Sequence, residues 1–181
     1  DINLDLLSGE LVGVIGPNGS GKSTLAKTLA GLLDLHSGEI KINDRPLADI
    51  SNAERAKLLG YLPQNAMFSW DLSVLEAVKL GQFASPPSHR NEQKLQDALV
   101  GCGVAQLSHR SVYKLSGGEQ MRVHIARLFY GQHDILIADE PCASLDLAYQ
   151  SQVMSLLRDY AQDKIALVIL HDINLAQYDE H

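Results

Sequence analysis

Cysteine is scarce in this sequence of 181 residues. Only Cys102 and Cys142 occur, in neither a paired metal-ligand spacing nor the dense framework of a small secreted fold. A disulfide-stapled scaffold is therefore excluded, and both thiols read as small buried side chains in a reducing, cytosolic setting. Long apolar runs are also missing. The strongest, Ile165 to Leu170, is far short of the ~18 residues that a membrane-spanning helix needs. Asp1 does not open a basic signal peptide, so any membrane role is expected to be peripheral. Basic residues are outnumbered, with 15 Lys and Arg against 22 Asp and Glu and a net charge of -7. Such a balance disfavours sequence-independent binding to phosphate backbones, and no nucleic-acid partner is expected.

The composition, 45% hydrophobic and 20% charged, suits one compact unit that buries roughly 70% of its unfolded surface without a metal or disulfide staple. Runs of strand length recur between helical stretches. Glu10 to Gly16, Glu39 to Asn43, Gly60 to Pro63, Asp134 to Asp139 and Lys164 to Leu170 read as strands. The continuous runs in the last two suit central strands covered on both faces. Lys22 to Leu32, Arg122 to Tyr130 and Leu147 to Ala161 carry helical apolar spacing, with Val153, Leu156, Leu157 and Tyr160 on one stripe of the last. Met154 and Tyr149 read as packing. The pattern is α/β. From Ala66 to Lys114 no strand stands out, and two or three short helices are expected. Ser73 with Glu76 makes a capping box for Val74 to Leu80, and Asn91 to Val100 forms a second amphipathic segment. Ser85 to Ser88 reads as a loop, with His89 and His109 solvated.

Chemistry concentrates in three places. Gly16-Pro17-Asn18-Gly19-Ser20-Gly21-Lys22-Ser23-Thr24 follows a predicted strand and opens a predicted helix, the context that a phosphate-binding loop requires. Its glycines let the backbone curl so that successive N–H groups and the helix N-terminus face an anion. Lys22 then reaches the β and γ phosphates of a nucleotide, and the Ser23 hydroxyl suits Mg²⁺. Ile135-Leu136-Ile137-Ala138-Asp139-Glu140 ends an apolar strand in two acids. Asp139 is expected to hold Mg²⁺ through water, and Glu140 to polarise an attacking water. The third place is Leu115-Ser116-Gly117-Gly118-Glu119-Gln120. Ser116 and Glu119 form a capping box, but the box alone does not explain the double glycine.

With that last motif the whole chain resembles the nucleotide-binding subunit of ATP-binding cassette (ABC) transporters, whose signature is LSGGEQ. Further family motifs follow in order: Gln64 in Tyr-Leu-Pro-Gln matches the Q-loop, Ser144-Leu145-Asp146 the D-loop, and His171 the switch histidine. The resemblance implies a P-loop NTPase (RecA-like) α/β core with an inserted α-helical lobe. Residues 1–65 and 116–181 would be the ATP-binding core and 66–115 the helical signature subdomain, with both ends shorter than the family pattern. It implies that Gln64 and His171 join Glu140 in catalysis, that Gln64 shares Mg²⁺ with Ser23 and Asp139, and that Ser116, Gly117, Gly118 and Gln120 serve ATP in a second copy. That copy would pair head to tail, with Asp146 at the interface. Cys142 departs from the pattern, standing where Thr is usual, and the aromatic residue that stacks on adenine is not found upstream of Gly16. His36, His124 and His133 read as structural or surface residues, and Arg122 and Arg127 as charges on a helix face.

The expected function is an ATPase, with ATP and Mg²⁺ as cofactors, that powers transport through a separate membrane permease. It would lie on the cytoplasmic face of the membrane. Pro46 to Ser51, Arg55 to Gln64 and His171 to Ala176 resemble the branch that imports iron chelates, haem or cobalamin, in which a periplasmic binding protein delivers cargo. The competing readings are an ABC-type ATPase of DNA repair or translation and a detached exporter cassette. Met67, Phe68 and Trp70, directly after Gln64, are either interior packing or part of a groove for a permease helix.

Overall fold

The apolar runs Ile135–Asp139 (β5) and Ile165–Leu170 (β6) lie at the centre of a four-stranded parallel sheet in the computed structural model, which describes residues 2–83, 91–143 and 145–170. Glu10–Ile15 (β1) and Leu59–Leu62 (β4) flank them, in the order β1-β6-β5-β4. Leu136, Ala138 and Ala166 to Ile169 are almost completely buried. Parallel strands of this kind are apolar on both sides because helices cover both faces. On one face Ala26 of Lys22–Leu29 (α1) packs with Ile137, Leu167 and Ile169. On the other, Leu136, Val168 and Leu170 share a larger core with Gly117–Gly131 (α5) and Leu147–Ala161 (α6).

That larger core continues into the middle of the chain. Val74–Lys79 (α3) and Glu92–Gly101 (α4) contribute Val74, Val78, Leu95 and Leu99 to it, and short 3-10 turns cover Leu80–Gln82, Ala105–Leu107 and Val112–Lys114. The expected capping box at Ser73 is formed with Glu76. Cys102 and Cys142 are free and buried, and burial pushes both thiols up to about 12.

The structure departs from the sequence expectations where backbone conformation decides. The strand expected over Glu39 to Asn43 is only Lys41–Ile42 (β2), paired antiparallel with Arg45–Pro46 (β3). Asn43 and Asp44 have φ of 49° and 62°, the left-handed pair that closes a two-residue hairpin. Helix α1 stops at Leu29 rather than Leu32. Gly31 takes φ of 70°, and the N–H groups of Gly31 and Leu32 return to Thr28 and Lys27, which is a Schellman ending. An unexpected helix, Asn52–Leu58 (α2), starts at a Ser51–Glu54 capping box.

Arg122 does not lie on a solvated helix face. It is buried, its guanidinium 3.7 Å from the centre of the Tyr149 ring and donating to the carbonyl of Gly103. Arg127 is half-buried. Both corrections have one cause: α5 is enclosed nearly all round and has little solvent face to offer.

Candidate active site

The site is assembled at the C-terminal ends of the parallel strands, where the loops after β1, β4 and β5 meet. Parallel sheets present their ligands there because every strand delivers its following loop to the same edge. After β1 the chain turns through Gly19 and Gly21, at φ of 79° and 92°, and Gly21 caps α1. These angles favour glycine, and a Cβ at either position would meet nothing within 4 Å. The backbone there is bare and outward facing, as an anion cradle must be. The Lys22 side chain folds back over the loop, its Nζ donating to the carbonyl oxygens of Gly16 at 2.6 Å and Pro17 at 2.9 Å.

The register Asp139↔Ile169 and Ile15↔Leu170 brings the acidic pair to the same edge as this loop. Asp139 is 1% exposed, and its Oδ1 is buried with no hydrogen-bond partner among the described residues. A buried carboxylate oxygen left unpaired is costly, and a divalent cation or its water shell would satisfy it. Oxygen donors from Asp139, Ser23 and Gln64 form the hard set that Mg²⁺ takes, so these residues fit that ion. Tyr61 reaches the same side of the sheet. Its hydroxyl is also buried and unpartnered among the described residues, and burial, reinforced by the charge of Asp139, raises its pKa.

Glu140 is a non-glycine residue at φ of 52°, a conformation that costs about 1–2 kcal/mol. Its N–H is held by the carbonyl of Ile169 at 3.1 Å, and its Oε2 accepts a hydrogen bond of 2.6 Å from Nε2 of Gln64. The structure therefore joins two of the predicted catalytic residues directly. His171 and Ser144 lie outside the described residues.

The other predicted residues sit elsewhere on the surface. Ser116 caps α5 in a reciprocal box with Glu119, whose carboxyl is held below the usual carboxylate range by the Ser116 N–H and hydroxyl. Ser116 and Gly117 are exposed, and Gln120 donates to the Leu115 carbonyl. Among the described residues no hydrogen bond joins this group to the phosphate loop. Asp146 accepts from the Tyr149 N–H and caps α6. His124 and His133 are buried, in keeping with a structural role.

A bare glycine loop ahead of a helix, a buried unpaired aspartate and a strained glutamate on one sheet edge define a P-loop ATPase. The ABC transporter family model matches residues 1–143. Over 97% of its length the chain is 44% identical to the hemin import ATP-binding protein HmuV of Pseudomonas fluorescens, spanning 71% of that protein. A dimeric ATP-binding cassette in a post-hydrolysis state with ADP and phosphate superposes with a TM-score of 0.86 at 29% identity. That comparison covers 98% of this chain and 82% of the cassette. An inward-facing transporter of putative metal-chelate type gives a TM-score of 0.77 at 32% identity, over 97% of this chain and 68% of that one. The chain belongs to the ABC transporter family and is an ATPase subunit of it.

Proposed function

We propose that the chain binds Mg·ATP on the loop Gly16 to Thr24 and hydrolyses it with Glu140 as general base, driving import of haem or a related iron chelate through a separate permease. The observation that carries the catalytic assignment is the Gln64–Glu140 hydrogen bond. It holds a carboxylate at the edge where the phosphate loop ends. Lys22 exchanges its two carbonyl partners for phosphate oxygens, and the N–H groups at the start of α1 receive the remaining charge. Glu140 takes the proton of the attacking water at its free carboxylate oxygen while Gln64 fixes its orientation. By the family resemblance His171 would assist Glu140 in this step. Bound through Ser23, Gln64 and Asp139, Mg²⁺ would supply charge neutralisation on the phosphates.

In this reading residues 1–65 and 116–181 act as the ATP-binding core and 66–115 as the signature subdomain. Ser116, Gly117, Gly118 and Gln120 complete the site of a second copy across a head-to-tail interface that includes Asp146. The solved dimeric cassette supports pairing, and the name of the HmuV relative supports haem as cargo. No helix among the described residues is long and apolar enough to cross a membrane. The permease would be a separate chain, with this subunit on the cytoplasmic membrane face. A periplasmic binding protein would deliver the cargo. Met67 and Trp70 are 80% and 70% exposed, whereas Phe68 turns inward, so the loop after Gln64 presents apolar surface for the permease.

The test is reconstitution of the full-length protein with its permease in liposomes. ATP-dependent haem accumulation is expected, with vitamin B12 and a ferric siderophore as competitors. Uptake of either competitor in preference to haem would overturn the cargo, and ATP turnover without transport of any of them would overturn the import reading.

A further inference from the structure

Tyr61 holds its polar end inward. The residue is only partly buried, yet its hydroxyl oxygen is shut off from solvent and has no hydrogen-bond partner among the described residues. A tyrosine with part of its surface exposed ordinarily turns the hydroxyl to water, because the ring is its apolar end and the O–H its wet one. Here the arrangement is reversed. A hydroxyl buried without a partner costs free energy, so a plain packing role would be better served by phenylalanine, which fills the same space without the oxygen.

Strand register decides what the hydroxyl faces. Tyr61 pairs with Ile137 across β4 and β5, and its ring packs against the cluster of Ala26, Ile137, Leu167 and Ile169 on the α1 side of the sheet. Side chains alternate between faces along a strand, so Asp139, two positions beyond Ile137, emerges on that same side, toward the edge where the phosphate loop ends. Diagonal neighbours on one face of a sheet lie within reach of an aromatic side chain. The carboxylate is 1% exposed, and its Oδ1 is likewise buried with no partner among the described residues. Its charge is felt at the phenol, where it adds to burial in raising the Tyr61 pKa, so the hydroxyl keeps its proton and remains a donor.

We propose that Tyr61 is a positioning residue for Asp139: its hydroxyl donates to a buried water that donates in turn to Oδ1 of the carboxylate, and this bridge fixes the carboxylate for Mg²⁺. The inference rests on the reading of Asp139 as a metal-binding residue and adds what orients it. A single water between the two groups satisfies both of the unpaired atoms. A carboxylate oxygen has two lone pairs, so Oδ1 can accept from this water and from one in the shell of the metal together. Partners behind a metal-binding carboxylate hold its orientation and thereby set its affinity for the ion. Tyr61 itself touches neither nucleotide nor metal in this arrangement and acts only through Asp139.

The experiment uses the full-length protein, with Mn²⁺ as a paramagnetic probe of the Mg²⁺ site and the β,γ-imido analogue of ATP to prevent turnover. Nucleotide affinity is measured with Mn²⁺ and in EDTA, and bound Mn²⁺ is followed by electron paramagnetic resonance. Tyr61→Phe is expected to lower the Mn²⁺ affinity of the nucleotide complex about tenfold, the low end of the effect of removing such a partner, and to leave nucleotide affinity in EDTA unchanged. Asp139→Ala is expected to lose more, and adding Tyr61→Phe to it should cost nothing further, because the bridge then has no carboxylate to hold. Thermal melting in EDTA checks that each variant folds. Full Mn²⁺ affinity in Tyr61→Phe, with Asp139→Ala impaired, overturns this proposal and spares the metal role of Asp139. Full affinity in Asp139→Ala overturns both. An equal loss with Mn²⁺ and in EDTA would make Tyr61 a support of the phosphate loop alone, and a further loss in the double variant would place its effect elsewhere than on the carboxylate; either result also overturns the bridge.

Discussion

Gln64 and Glu140 are joined by a hydrogen bond of 2.6 Å although 76 positions separate them in the chain. The contact follows from strand register. Leu62 pairs with Ala138 at the end of the β4–β5 ladder, and Gln64 and Glu140 each lie two positions further on. Parallel pairing thus delivers an amide and a carboxylate to the same height above the sheet, where the phosphate loop also ends.

Glu140→Gln keeps a carbonyl oxygen to accept from Gln64 and removes the group that takes the proton. Nucleotide binding is expected to persist while turnover falls roughly 10²–10⁴-fold. Fluorescent-nucleotide titration and phosphate release on the full-length protein measure the two separately. Turnover at the unmodified rate would remove Glu140 from the role of general base.

Lys22→Ala acts earlier. In the free protein the ammonium holds only two backbone carbonyls of its own loop, so its loss should leave the fold intact. ATP affinity should drop on the order of 10–100-fold, because hydrogen bonds to charged groups contribute about 1.5–3 kcal/mol. Calorimetric titration with ATP checks it, and an unchanged affinity would contradict the phosphate-loop assignment.

Much of this is legible in the sequence, for physical reasons that can be named. The motif Gly16 to Thr24 carries its own conformation in its glycines, and the short runs ending in Asp139 and Leu170 are continuously apolar, as strands covered on both faces are. Helix α6 begins and ends at the residues its periodicity gives, Leu147 and Ala161. The differences arise where a tertiary neighbour decides. Arg122 and Arg127 read as surface charges because a helical wheel cannot show that α5 is enclosed on nearly every side. Met67, Phe68 and Trp70 look alike in sequence, yet the buried ring of His124 selects Phe68 and leaves the other two in solvent. Helix α2 is absent from the sequence expectations although its Ser51–Glu54 box has the same spacing as the box at Ser73.

His124 sets a pH dependence of stability. Burial, reinforced by the charge of Arg127, pushes its imidazole down to about 4 from its ordinary value of 6.5. The unfolded chain then binds more protons than the native one between those values. Stability is therefore complete above pH 6.5 and declines as pH falls toward 4, by an amount on the order of 3 kcal/mol for this group. His133, also lowered chiefly by burial, adds to the same trend. Urea midpoints of the wild type should fall between pH 7 and pH 5, and His124→Leu should flatten that slope while His133 retains part of it. An identical slope in the variant would show that His124 does not titrate on unfolding.

Ser116 offers the sharpest test of a shared site. Its hydroxyl and N–H are occupied by the box with Glu119, yet the residue and the following glycine are exposed, so the N-terminus of α5 is presented outward with its backbone donors toward whatever approaches. If a second copy brings ATP there, a Lys22→Ala subunit mixed with a Ser116→Arg subunit assembles one site with both elements intact and one with both damaged. Each variant alone should trap no nucleotide. The mixture should recover up to about a quarter of wild-type trapping, because random pairing makes half of the dimers mixed and each carries one good site. Trapping of labelled ATP in the presence of vanadate, with both variants verified as folded by circular dichroism, measures it. Failure of the mixture to recover any trapping would place Ser116 outside the nucleotide site and leave its box with Glu119 as a helix cap alone.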